Sequence, residues 1–209
     1  MEGIQVHIRD IHFISEEKMT SPLHLEKKGI RTLAIAESFK SNCKYAVLAG
    51  VVMRRDLIID GVGISKSTLR GDDATENIIS MYGNMRRNDI SCIFLGGMII
   101  SMYNIIDGAE IHRSTGLPVI AITFRYSEGL ESTIRNVFSH EWQTKLHKYQ
   151  NLGQREEIKL RTGKSVFVRS WGISLRNSAI ILNHFTLQGS LPEPVRIAKL
   201  IARAILETN

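Results

Sequence analysis

Five segments of the chain carry the apolar runs expected of buried β-strands. They are Arg31–Ala36, Lys44–Met53, Leu57–Ser65, Ile90–Leu95 and Val119–Phe124. Only the charged run 54–56 separates the second from the third, and such a break is typical of a hairpin turn. Strands joined by short turns predict an antiparallel meander. A further short strand is predicted at Val6–Phe13.

Other segments repeat their apolar residues with helical spacing. Between Asp72 and Arg86, the residues Ala74, Ile78 and Met81 share one face of a predicted helix. The same reasoning predicts helices at Asn104–His112, Glu128–Phe138, Glu141–Tyr149, Ser174–His184 and Leu191–Glu207, and a small hairpin formed by Glu156–Arg161 and Ser165–Ser170.

The order of these elements predicts an α/β fold. Three strands in a meander are followed by helix, strand, helix and strand, and strands joined through helices pair in parallel by right-handed crossovers. We therefore expect a mixed five-stranded sheet with helices on both faces, which is the ribonuclease-H-like order. Residues 1–209 are expected to form one domain, with an N-terminal extension at 1–29 and a basic helix and hairpin region at 140–176.

Positive charge is concentrated in one part of the chain. The formal net charge is +6, and residues 140–176 contain eight basic and three acidic residues. A local basic field favours a polyanion such as DNA or RNA, and the alternative is a solvated surface. Trp142, Tyr149 and Trp171 add aromatic rings that single-strand binding uses or that anchor a core. The candidate nucleic-acid-binding residues are Arg54, Arg55, Lys145, Lys148, Arg155, Lys159, Arg161, Lys164 and Arg169.

The chain lacks a run of apolar residues long enough to cross a membrane. Its N-terminus mixes acids and bases where a signal peptide would need an apolar stretch. We therefore expect a cytoplasmic protein with no membrane partner. A homo-oligomer is left open.

Several segments, in order along the chain, resemble the archaeal family of endonuclease V-like proteins of unknown function. They are IRTLAIAESF (30–39), LAGVVMRRDLIIDGV (48–62), DDATENI (72–78), NIID (104–107), TGLPVIAI (115–122) and LPEPVRIAKLIA (191–202). The resemblance implies a ribonuclease-H-like fold related to endonuclease V. That enzyme cuts nucleic acid near deaminated adenine with a divalent metal held by carboxylates.

The sequence departs from the family pattern at two positions. The resemblance implies an aspartate at the end of the first strand and another at the end of the fourth, but Ala36 and Gly96 stand there. Glu37 is adjacent to Ala36, although neighbouring strand residues face opposite sides of a sheet. Mg²⁺ and Mn²⁺ need hard oxygen ligands, so we expect nuclease activity to be impaired or absent.

Other carboxylates could form a rearranged site. Asp73 and Glu76 are spaced to share one helix face, and Asp107 begins the next predicted helix. These three residues and Glu37 are the candidate catalytic residues. Of the four, Glu37 and Asp73 are the candidate ligands for Mg²⁺ or Mn²⁺. The alternative is that these acids cap helices.

Three functions therefore remain open from the sequence. The first is a divergent endonuclease V-like protein that binds nucleic acid with little or no cleavage. The second is an active metal-dependent endonuclease with rearranged ligands. The third is a non-catalytic scaffold, for which the apolar terminal helix would supply an interface.

Overall fold

A mixed β-sheet with helices on both faces forms the centre of the molecule. The computed structural model describes residues 29–124, 129–138 and 140–208. The strand predicted at Val6–Phe13 lies outside these residues. Within them the α/β class expected from the sequence is confirmed.

The predicted strands among the described residues occur in the expected order, and two short strands that were not predicted, Ile99–Ile100 and Asn104–Ile105, follow the fourth of them. The strands are β1 (Arg31–Ser38), β2 (Tyr45–Arg54), β3 (Ile59–Thr68), β4 (Cys92–Leu95), β5 (Ile99–Ile100), β6 (Asn104–Ile105), β7 (Val119–Thr123), β8 (Glu156–Lys159) and β9 (Ser165–Trp171). The main sheet has the order β3-β2-β1-β4-β7-β9-β8. Its first three strands are antiparallel, whereas β1, β4 and β7 are parallel to one another.

The main sheet has seven strands rather than the expected five. The first five in the sheet order are the strands predicted from the apolar runs. The predicted hairpin of β8 and β9 supplies the other two, because β9 pairs antiparallel with β7 and continues the sheet. The predicted hairpin is thus present, and its place is the edge of the main sheet.

Helices cover the sheet between and after the strands. They are α1 (Ala74–Met85), α2 (Gly108–Thr115), α3 (Glu131–Val137), α4 (Trp142–Gln150), α5 (Leu175–Phe185) and α6 (Glu193–Thr208). In the parts of the chain that are described, none of them is long and apolar enough to cross a membrane.

The helix predicted at Asn104–His112 begins later than expected. Asn104 belongs to the small hairpin of β5 and β6, and α2 starts at Gly108. The reason is local, because the Asp107 side chain accepts the Glu110 backbone N–H at 2.9 Å and so ends the preceding extended segment.

Two apolar clusters lie on opposite faces of the sheet. Ala34 and Ala36 of β1 belong to the cluster beneath α5 and α6, whereas Leu33 and Ile35 belong to the cluster beneath α1 and α2. The face of α6 that carries Val195 is buried against the sheet. Most of its apolar residues therefore serve the core, which leaves little of this helix for the interface of the scaffold hypothesis, although Leu200 remains 52% exposed.

Candidate functional site

The ends of β1 and β4 bring Ala36 and Gly96 together. The two strands are parallel with Ile35 beside Leu95, and the Gly96 N–H donates to the Ile35 carbonyl at 2.9 Å. A Cβ on residue 96 would lie 3.6 Å from the Ala36 Cβ and 2.9 Å from Val195 Cγ1. The two positions therefore face one point, and a valine from α6 occupies it.

Little space remains around this point. Ala36, Glu37, Gly96 and Gly97 line a cavity of about 10 Å³. Such a volume holds about one water molecule. Ala36 is also buried in the same apolar cluster as Val195. The surroundings suit a methyl group and would disfavour a metal ion with its hydration shell.

Glu37 does not turn toward this apolar point. Its carboxylate accepts hydrogen bonds from the backbone N–H and the hydroxyl of Ser101, both at 2.7 Å. Burial raises the pKa of Glu37, while the two bonds from Ser101 and the charge of Lys199 act in the opposite direction. Glu37 is thus held by the β5–β6 connection.

That connection has an unusual backbone. Ser101, Met102 and Tyr103 have φ angles of 47°, 55° and 76°, in the left-handed region that non-glycine residues seldom adopt. Each such residue stores on the order of 1 kcal/mol or more and persists only where its surroundings fix it. The two bonds between Glu37 and Ser101 provide such fixation at the start of the turn.

Asp73 joins three segments of the chain. Its carboxylate accepts the Thr68 N–H at 3.0 Å, the Thr68 hydroxyl at 2.7 Å and the Asn104 side-chain amide at 2.7 Å. Asn104 in turn accepts the Ala74 N–H at 3.2 Å, at the start of α1. Partial burial opposes ionisation of Asp73, but the bonds from Thr68 and Asn104 prevail and lower its pKa.

The remaining candidate carboxylates lie apart from this network. Glu76 is exposed in the first turn of α1, and Asp107 is exposed as the N-cap of α2. Among the residues of the three described ranges, no group of three or more His, Cys, Asp or Glu side chains could hold a metal ion. The four candidate carboxylates therefore do not converge as one such group in this conformation.

Lys145 has a structural position that the sequence did not predict. Its side chain is 1% exposed, and its ammonium donates to the Gly71 carbonyl at 2.5 Å. It also pairs with Asp72 at 3.0 Å and lies 5.2 Å from the centre of the Phe138 ring. The assignment of Lys145 to nucleic-acid binding is corrected, because protein oxygens surround its charge.

Lys148 is accessible, unlike Lys145. It follows Lys145 by three residues, just under one helical turn, and pairs with Asp72 at 2.7 Å, but its side chain remains 43% exposed. The other predicted basic residues are exposed or half-buried, namely Arg54, Arg55, Arg155, Lys159, Arg161, Lys164 and Arg169. Arg54 pairs with Asp56 at the β2–β3 turn, and Arg161 bonds Asn183 of α5.

Basic and aromatic side chains alternate on one face of β9. Val166 and Val168 point into the core beneath α5, so Phe167, Arg169 and Trp171 lie on the opposite face. Together with Arg155 and Lys148, these three residues are called the basic–aromatic face below. Phe167 was not singled out from the sequence, although strand alternation along β9 would have placed it beside Arg169.

A pocket opens at one end of the basic–aromatic face. Its volume is about 290 Å³, and its lining includes Trp171, Lys148, Asn151 and Thr75. The volume is near the lower end for small-ligand pockets, about 300 Å³. The indole of Trp171 lies directly against Gly108, where any Cβ would overlap the ring. The pocket thus combines an aromatic wall with hydrogen-bonding groups, and Asp72 and Asp107 also line it.

Sequence comparison relates most of the chain to archaeal proteins. A model of the family described as Endonuclease dU matches residues 28–206. The "UPF0215 protein" of Pyrobaculum calidifontis is 35% identical over 176 residues, which cover 84% of this chain and 96% of that protein.

Structural comparison gives the same relationship. A protein of unknown function from Archaeoglobus fulgidus superimposes with a TM-score of 0.73 at 26% identity, covering 85% of this chain and 98% of that one. Endonuclease V of Ciona intestinalis, in complex with DNA that contains an inosine, superimposes with a TM-score of 0.57 at 15% identity and covers 87% of each chain. At this identity the second likeness shows the fold, and the ribonuclease-H-like expectation is confirmed.

Proposed function

The chain belongs to the endonuclease dU family, and from that premise we propose that it binds nucleic acid with little or no metal-dependent cleavage. The observation that carries the proposal is the apolar contact between Ala36, Gly96 and Val195. The family resemblance implies carboxylates at the first two of these positions. Here a carboxylate at residue 96 would meet a valine side chain.

The absence of carboxylates at Ala36 and Gly96, where the resemblance implies them, supports a lack of metal-assisted hydrolysis. A divalent ion must be held by oxygen ligands before it can activate water or stabilise the charge on a phosphate. Glu37 and Asp73 still carry carboxylate oxygens. The Glu37 carboxylate, however, accepts hydrogen bonds from Ser101, and the Asp73 carboxylate accepts them from Thr68 and Asn104. Each carboxylate stabilises the fold, and no step of a cleavage reaction is assigned to either.

The basic–aromatic face supports nucleic-acid binding. Lysine and arginine side chains attract phosphates, and flat rings stack on unpaired bases at about 1–3 kcal/mol per base. Arg155, Phe167, Arg169 and Trp171 offer both kinds of contact on one side of β8 and β9. The pocket beside Trp171 is large enough for one unpaired base. A single strand fits this surface better than a closed duplex, whose bases are stacked internally.

The test measures binding and cleavage on the same strands. The family description names dU, and the Ciona structure holds an inosine. Labelled single strands containing deoxyuridine, inosine or neither are therefore the probes. We expect binding that weakens as salt rises and no Mn²⁺-dependent cleavage. Absence of binding at low salt would refute the proposed nucleic-acid binding. Metal-dependent cleavage would refute the proposed lack of nuclease activity.

A further inference from the structure

Two arginines face each other across the β8–β9 hairpin. In its register Glu156 pairs with Val168 as the last pair of β8, so continuing the register by one residue places Arg155, just before β8, opposite Arg169. Both lie on the same face as Phe167. Directly opposed cross-strand residues have Cβ atoms about 5 Å apart. Two positive charges are therefore held at close range by the backbone.

This arrangement is electrostatically unfavourable. Like charges at directly opposed strand positions destabilise a sheet. Burial lowers the pKa of Arg169, and the charge of Arg155 lowers it further. In the described part of the chain, Arg169 forms no ion pair with a carboxylate, and its Nε donates to the Gly153 carbonyl at 2.9 Å. The two guanidinium groups together form a local concentration of positive charge that attracts an anion such as a phosphate.

Aromatic rings flank the pair on both sides. The Arg155 guanidinium lies 5.8 Å from the centre of the Phe167 ring, two residues before Arg169 along β9. Trp171, two residues after Arg169, forms a wall of the pocket. Alternate strand residues are separated by about 7 Å. Along β9 the guanidinium pair therefore lies between two aromatic rings. In a single strand, a phosphate lies between two bases in the same way.

We propose that Arg155 and Arg169 clamp one phosphodiester of a single-stranded nucleic acid, with its flanking bases on Phe167 and Trp171. The proposal rests on the nucleic-acid binding proposed above and specifies where one phosphate lies. Arginine suits this role, because its planar group donates two parallel hydrogen bonds to phosphate oxygens. The clamp sets the register of the strand, so that the base that follows the phosphate reaches the pocket.

The test compares Arg155→Gln and Arg169→Gln with Arg176→Gln. Arg176 is exposed on α5, which packs on the opposite face of the sheet, so the control removes the same charge away from the clamp. Fluorescence anisotropy measures the affinity for a short labelled oligothymidylate at several salt concentrations. Circular dichroism confirms that each variant is folded. Arg169 also bonds Gly153, and Arg155→Gln tests the clamp without removing that bond.

The expected result is a loss of affinity confined to the clamp. Each clamp variant should bind about tenfold more weakly than the native chain. The slope of log K against log salt should become shallower by about 0.7, the value for one phosphate contact on a single strand. Arg176→Gln should leave the slope unchanged. Clamp variants that match this control would refute the clamp while leaving the proposed function intact, whereas no binding by the native chain would refute both.

Discussion

Ala36 and Gly96 face the same point between the parallel strands β1 and β4, where a Cβ on residue 96 would lie 3.6 Å from that of Ala36. Val195 of α6 fills this point with a methyl group. In a related protein with carboxylates at both positions, the two groups would converge here. The apolar contact is therefore a physical reason for the expected lack of metal-dependent activity.

Substitution of Gly96 by alanine should destabilise the protein. The new methyl group would lie 2.9 Å from Val195 Cγ1 and 3.2 Å from the Ile35 carbonyl oxygen. Overpacking of this kind costs about 1–3 kcal/mol in the free energy of unfolding. Urea unfolding measures the loss, and adding Val195→Ala should recover part of it. A Gly96→Ala variant as stable as the native chain would show that the contact is looser than described.

Glu37 should make stability depend on pH in a defined direction. Its pKa is raised from 4.5 by burial, so its contribution to stability is fully present below pH 4.5 and is lost as pH rises through the folded-state pKa. We compare native and Glu37→Gln proteins by urea unfolding between about pH 4 and pH 7. The native chain should lose stability relative to the variant as pH rises. A difference that is constant with pH would contradict this assignment.

Asp73 should stabilise the fold without any metal. Its carboxylate accepts bonds from Thr68 and Asn104, so Asp73→Ala should reduce the free energy of unfolding by about 2 kcal/mol near neutral pH. Because the pKa is lowered from 3.8, this contribution is present above pH 3.8 and is lost as pH falls through the folded-state pKa. The exposed Glu76→Ala variant is the control, with an expected change within about 0.5 kcal/mol. A loss seen only when Mn²⁺ is present would instead favour a ligand role.

Substitutions of Lys145 and Lys148 should have different effects, the first on stability and the second on nucleic-acid binding. Lys145→Met removes the buried partner of Asp72 and the donor to Gly71, at an expected cost of about 3 kcal/mol in unfolding free energy. The exposed Lys148→Met should leave stability within about 0.5 kcal/mol of native. It should also make the salt slope for single-strand binding shallower by about 0.7. Equal stability losses in the two variants would contradict this division.

Local patterns were sufficient to predict most of the elements. Apolar runs identify β2, and the spacing of Ala74, Ile78 and Met81 identifies α1, because strand and helix periods depend on neighbouring residues. The position of the β8–β9 hairpin could not be predicted in this way. Its pairing with β7 depends on residues far apart along the chain.

Distant contacts also decided the roles of single residues. Asn104 resembles a helix start in sequence, but its side chain bonds Asp73 and the start of α1. Lys145 resembles a surface base, yet carbonyls from other segments surround it. The sequence predicts departures from the family pattern at Ala36 and Gly96, whereas the valine that fills their meeting point comes from a helix near the end of the chain.

The most direct test of the proposed function is one titration of the native protein with a labelled, inosine-containing single strand, in Mn²⁺, analysed for both binding and product. We expect binding that weakens between about 50 and 200 mM salt, with the strand recovered intact. A cleaved strand, with cleavage abolished by a chelator, would contradict the claim that the site formed by Ala36, Gly96 and Val195 cannot support metal-dependent hydrolysis. No binding at the lowest salt would contradict the assignment of the basic–aromatic face.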